Sequence, residues 1–154
     1  MYIYLISYVK QMTKTDLYLY LISHNKKNIK THTYIGCVED FVNRLNQHNL
    51  VVNGGPRVTR RAAGNWEPVL VLKLPKDRTF DSKKIKKEWK TSSRGLESRI
   101  RKGFALAVKY HLPVFIMKKR KHKVPVLDIL KDKWKDNKIS ADKSVWDKLL
   151  NNSD

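Results

Sequence analysis

The chain has a single cysteine, Cys37, in 154 residues. No internal disulfide can form, and no zinc module built on cysteine ligands fits. A reducing setting is compatible with that usage. Long apolar runs are also missing. The best candidate, Met1 to Val9, falls far short of the ~20 residues that cross a bilayer. It has neither a basic leader nor a small-residue cleavage site, so it does not read as a secretory signal. The expectation is an intracellular protein, nuclear or cytoplasmic, and not a secreted one. Acidic residues are few: 14 Asp and Glu stand against 33 Lys and Arg, for a formal net charge of +19. Such an excess attracts polyanions by counterion release, without regard to their sequence. Nucleic acid is the leading partner, and an anionic membrane surface is the competing one. The five histidines show no paired metal spacing.

Hydrophobic residues make up 41% of the chain, enough for a core without staples. The length suits one domain with a small appended element. Tyr18-Leu19-Tyr20-Leu21-Ile22-Ser23 nearly repeats Tyr2-Ile3-Tyr4-Leu5-Ile6-Ser7. Both favour strands, because aromatic and branched residues dominate. The first copy reads either as an extra edge strand or as sequence upstream of a functional start at Met12. Strands are expected at about 17 to 23 and 31 to 37, joined as a hairpin by the polar turn His24-Asn25-Lys26-Lys27-Asn28. A helix follows from about 38 to 49, with Val38, Phe41, Val42 and Leu45 as its apolar stripe. Asn53-Gly54-Gly55-Pro56 breaks regular structure. Trp66 to Leu74 is the clearest strand, apolar enough to be central and covered on both faces.

Residues 57 to 65 read as a basic loop, and 76 to 93 as charged and irregular. Ser93 is the expected cap of a helix from about 94 to 110. Val114 to Met117 reads as a short strand before Lys118-Lys119-Arg120-Lys121. Two small amphipathic helices follow, around Val126 to Trp134 and Val145 to Leu150. The fold class expected is α+β, a small, mostly antiparallel three-stranded sheet flanked by helices. The division is an N-terminal extension at 1–16, a main domain at 17–112 and a basic C-terminal extension at 113–154.

Some residues carry chemistry by type and spacing. Arg44 and His48 sit four apart and share one side of the expected helix. A guanidinium grips phosphate through two parallel hydrogen bonds. Arg57, Arg60, Arg61, Lys83, Lys84, Lys86 and Lys87 read as phosphate-backbone contacts or as solvated charges. The basic run at 118–121 reads as a nuclear-entry signal, a DNA contact or a plain loop. Trp66 and Trp89 can stack on bases or pack the core. Cys37 fits a small apolar niche.

Four segments in order resemble the GIY-YIG nucleases, over residues 18 to 110. Tyr18-Leu19-Tyr20-Leu21-Ile22 stands at the first motif, and Thr33-Tyr34-Ile35-Gly36 at the second. Asn43-Arg44-Leu45-Asn46-Gln47-His48-Asn49 resembles the arginine helix with its Gln-His-Asn ending. Gly64-Asn65-Trp66-Glu67-Pro68-Val69-Leu70-Val71 resembles the third strand, and Glu97 falls on the next helix. The closest flavour is the catalytic subunit of the SLX-type structure-specific endonucleases. Tyr18 stands where that family has glycine, and their cysteine-rich zinc domain has no counterpart here.

The resemblance implies a divalent-metal-dependent endonuclease that hydrolyses DNA at a branch, flap or junction. It assigns Tyr20, Tyr34, Arg44, His48 and Glu97 to catalysis and Glu97 to a Mg²⁺ or Mn²⁺ ion. It leaves open which tyrosine or histidine is the general base. Gly36 would let backbone approach a phosphate, or would simply end a strand. Glu97 would otherwise pair with Arg101 one turn away. The alternative to an enzyme is a basic nucleic-acid-binding protein that keeps the fold without catalysis. A homodimer or a protein partner is compatible with either.

Overall fold

Branched, aromatic and aliphatic residues dominate five segments, and each is a strand: β1 (Ile3–Ile6), β2 (Leu17–Ser23), β3 (Thr33–Val38), β4 (Glu67–Leu74) and β5 (Val114–Met117). The helices are α1 (Phe41–His48), α2 (Ser82–Lys90) and α3 (Leu96–Tyr110), with a 3-10 turn at Arg57–Ala62. This is a computed structural model, and it describes residues 3–6, 16–27, 32–76 and 79–117. The basic run at 118–121 and the two C-terminal helices expected from sequence lie outside the described residues.

The sheet order is β1-β5-β4-β2-β3. The pairs β2–β3, β2–β4 and β4–β5 are antiparallel, and β1–β5 is parallel. The α+β class and the β2–β3 hairpin are as expected, but the sheet has five strands and not three. The two additional strands, β1 and β5, are each expected as strands, but in segments assigned to the extensions. What differs is that they join the main sheet, because nothing local says that segments so far apart in the chain will pair. Strand β4 is central, and Val69, Leu70, Val71 and Leu72 are fully buried. The β2–β4 register slips between Leu21 and Ile22, whose partners are Leu70 and Pro68. Val69 is therefore the extra residue of a bulge, placed beside a proline that has no N–H to give the ladder.

Alternation along β2 divides the core. On one face Leu19, Leu21, Ile35, Leu70 and Leu72 pack under Ile85, Trp89, Ile100 and Phe104 of α2 and α3. On the other, Tyr18, Tyr20, Ile22 and Val71 pack under Phe41 of α1, Ala62 and Trp66. Tyr18, which stands at a glycine position of the motif, is buried there with its ring edge-on to Phe115.

The helix ends differ from expectation in instructive ways. Helix α1 starts at Phe41, because the Asp40 carboxylate accepts from Asn43 N at 3.1 Å. Residues 76–93 are not simply irregular. Asp81 caps α2 through Lys84 N, and Ile85 and Trp89 four residues apart anchor it. Ser93 does not cap α3. Its hydroxyl donates back to Trp89 O, and Gly95 at φ 78° takes the cap position.

Candidate active site

Tyr20 on β2 faces Gly36 on β3. A Cβ at residue 36 would overlap the Tyr20 Cζ and Oη atoms. The glycine of the second motif thus makes room for the phenol of the first. Gly36 is buried under that ring, which gives it a packing role.

The Tyr20 hydroxyl lies 2.7 Å from His48 Nε2, and His48 Nδ1 lies 2.9 Å from Thr59 Oγ1. Thr59 Oγ1 donates to Pro56 O at 2.9 Å. Tyr20, His48 and Thr59 are all at most 1% exposed. The last residue of α1 is thereby joined to the 3-10 turn. That turn is fixed in its turn by Trp66, whose Nε1–H donates to Thr59 O at 2.8 Å. Asn49 pins the same loop, taking Gly64 N and Trp66 N on Oδ1 and donating from Nδ2 to Trp66 O. Trp66 is therefore core and anchor. Trp89 is also fully buried, so it has no face free for base stacking.

Tyr34 completes the cluster. Its ring centroid is 4.9 Å from that of His48 and 6.2 Å from that of Tyr20. Arg44, half-buried one turn before His48, acts electrostatically on all three side chains. Burial pushes the Tyr20 and Tyr34 phenols up, against the opposing pull of Arg44. Burial, then Arg44, pulls His48 down to about 4. Both phenols and the imidazole are therefore neutral near pH 7. Among the described residues no carboxylate pairs with Arg44. Its charge is available to an anion.

The outer edge of β3 adds cations that the sequence did not single out. Lys90 Nζ stands 6.0 Å from the Tyr34 ring centroid. Arg99 Nη1 donates to Thr33 Oγ1 at 3.0 Å. Burial, then Lys86 and Arg99, lowers the Lys90 pKa. Ser82 and Lys86 of the same α2 stripe act on Cys37, a half-buried thiol that burial pushes up. The seven expected phosphate contacts separate into groups. Arg57, Arg60 and Arg61 are exposed on the turn that carries Thr59. Lys86 faces β3, and Lys83 is exposed. Lys84 and Lys87, with Glu88 and Lys102, line an open cavity of about 280 Å³.

Glu97 is in the first turn of α3, on the helix layer opposite α1. It is exposed, and Oε1 accepts from Arg101 Nη2 at 3.3 Å and Nε at 3.4 Å. Among the described residues no hydrogen bond or ion pair joins it to Tyr20, Tyr34, Arg44 or His48, which the fold does bring together. Among the described residues no three His, Cys, Asp or Glu side chains converge. The donor set does not resemble an all-protein cage. It suits a hard ion that takes one carboxylate and fills its shell with water and phosphate oxygens. The Arg101 pair is long and solvent-exposed, so it holds the carboxylate only weakly. No described helix is long and apolar enough to cross a membrane. No protein-family model matches the chain, and no curated protein is significantly similar to it in sequence.

Proposed function

We propose that the chain is a divalent-metal-dependent endonuclease that hydrolyses DNA phosphodiester bonds at branches, flaps or junctions. The observation that carries the reading is the buried Tyr20 hydroxyl held 2.7 Å from a neutral His48 beside Arg44 and Tyr34. A phenol hydrogen-bonded to an acceptor imidazole can take a proton from water while passing its own to the ring. In that scheme the water O–H breaks as its oxygen bonds to phosphorus. Tyr20 Oη is covered in the free chain, so the scheme requires that DNA binding admit one water to it. The proton then enters at Oη, and the Tyr20 proton moves to His48 Nε2. The P–O bond to the leaving oxygen breaks, that oxygen takes a proton from solvent, and the His48 imidazolium, a strong acid in this site, returns its proton through Tyr20 to solvent. Arg44 supplies two donors for the charge that builds on the phosphoryl oxygens. Glu97 would hold the ion, which supplies further neutralisation of that charge. The net charge of +19 and the exposed Arg57, Arg60 and Arg61 suit a polyanion. Preference for branched DNA rests on the resemblance to the SLX-type enzymes.

The test incubates purified chain with labelled branched and linear duplexes in Mg²⁺ or Mn²⁺. Arg44→Ala and Glu97→Ala should bind DNA as the parent does and cut at least ~10²-fold more slowly. If both cut like the parent, the assignment fails. Salt-sensitive binding with no cutting in either metal would leave the non-catalytic binder, a reading favoured by the pairing of Glu97 with Arg101.

A further inference from the structure

We infer that Thr59 is a positioning residue of this site: it fixes His48 as the Nδ1–H tautomer, so that the Nε2 lone pair faces the Tyr20 hydroxyl. The catalytic consequence rests on the proposed hydrolytic reading; the tautomer does not.

The assignment follows from counting protons. Tyr20 O–H, one imidazole N–H and Thr59 O–H are three donors in a buried chain of contacts at 2.7, 2.9 and 2.9 Å. The acceptors are the other imidazole nitrogen, Thr59 Oγ1 and Pro56 O. Only one arrangement pairs all of them. Thr59 O–H goes to Pro56 O, so Oγ1 must accept from His48 Nδ1–H. Nε2 is then bare and accepts from Tyr20. In the opposite tautomer Nε2–H would point at the Tyr20 oxygen. The Tyr20 hydrogen would have no acceptor among the described residues, at a buried site where an unpaired donor is costly. The imidazolium, donating from both nitrogens, strands the same hydrogen and stands against Arg44.

Thr59 is itself held firmly. Its backbone N–H donates to Pro56 O at 3.2 Å, and its own carbonyl accepts from the Trp66 indole at 2.8 Å. The threonine hydroxyl therefore has a fixed direction, and through the ring it gives the Tyr20 proton a direction too. Loss of the hydroxyl removes the acceptor for Nδ1–H and frees the ring to protonate at Nε2, which blocks proton transfer from Tyr20.

The test reads the His48 ring nitrogens by long-range ¹⁵N–¹H correlation at pH 7.5 on the full chain. The expected spectrum shows protonated Nδ1 and bare Nε2. Protonation at Nε2 overturns the inference. Thr59→Val should lose the single tautomer, bind a labelled branched duplex as the parent does, and cut it at least about ten-fold more slowly in Mg²⁺. Thr59→Ser, which restores the hydroxyl, should recover tautomer and rate. A Thr59→Val protein with unchanged tautomer and rate overturns the inference. If that variant does not fold, the parent and Thr59→Ser spectra decide it. A parent with the stated tautomer that cuts no DNA overturns the hydrolytic reading and leaves the tautomer standing.

Discussion

His48 has no exposed surface, and its imidazole resists protonation there. Its pKa is about 4 in the fold against an ordinary 6.5, so the unfolded chain binds its proton more readily. The stability this contributes is complete above pH ~6.5 and is lost as pH falls through ~4, on the order of 3 kcal/mol in all. We expect urea midpoints of the parent to fall between pH 7.5 and pH 5, and His48→Gln to show a shallower fall over the same interval. Equal slopes for the two proteins would remove His48 as the cause. Gly36 gives a second prediction. Gly36→Ala drives a methyl group into the Tyr20 ring, and overpacking of this kind costs about 1–3 kcal/mol. Cutting should fall further than stability, since the displaced ring leaves His48; thermal melts and cleavage rates on one sample separate the two. Much at this scale was legible. Arg44 and His48 were readable because four residues is one helical turn, and Tyr20 and Tyr34 because motif and strand alternation agree. Thr59 was not. It sits in Arg57-Val58-Thr59-Arg60-Arg61, where charge dominates the pattern, and its meaning arises only when the 3-10 turn folds back on α1.

Elements show where local pattern falls short. Helix α2 went unread because Ile85 and Trp89 are its only two buried residues in a run of lysines. Two apolar positions make a weak period, yet Trp89 fills the core from there, with its indole N–H donating to Arg99 O at 2.8 Å. We expect Trp89→Ala to cost roughly 3–5 kcal/mol; a denaturant midpoint near that of the parent would contradict the packing described. Ser93 was misassigned for a related reason. A serine before an apolar run looks like a cap, but here its hydroxyl closes the end of α2, and the glycine two residues later turns the chain into α3. The stripe Ser82, Lys86 and Lys90 lies along β3, beside Cys37 and Tyr34. If that stripe carries phosphates, Lys86→Gln with Lys90→Gln should reduce the slope of log binding against log salt by roughly 2. A control pair, Lys26→Gln with Lys109→Gln, should change it less; equal changes would mean the charges act only in bulk.

At the scale of the whole molecule, the strand from the expected N-terminal extension pairs in parallel with the strand from the expected C-terminal one. The sheet therefore ends on that side in two strands far apart in the chain, which no local reading could join. A variant starting at Met12 should lose β1 and bare the outer side of β5. We expect its Tm to drop by roughly 5 °C; an unchanged melt would show that β1 contributes little. On the opposite side the sheet ends at β3, the strand that carries Tyr34 and Gly36. Arg44 and His48 lie over one face of that border, and Glu97 belongs to the helices behind the other. Lys90, on a helix of that second layer, stands beside Tyr34, so a polyanion laid along this rim meets positive charge arriving from both faces of the sheet at once.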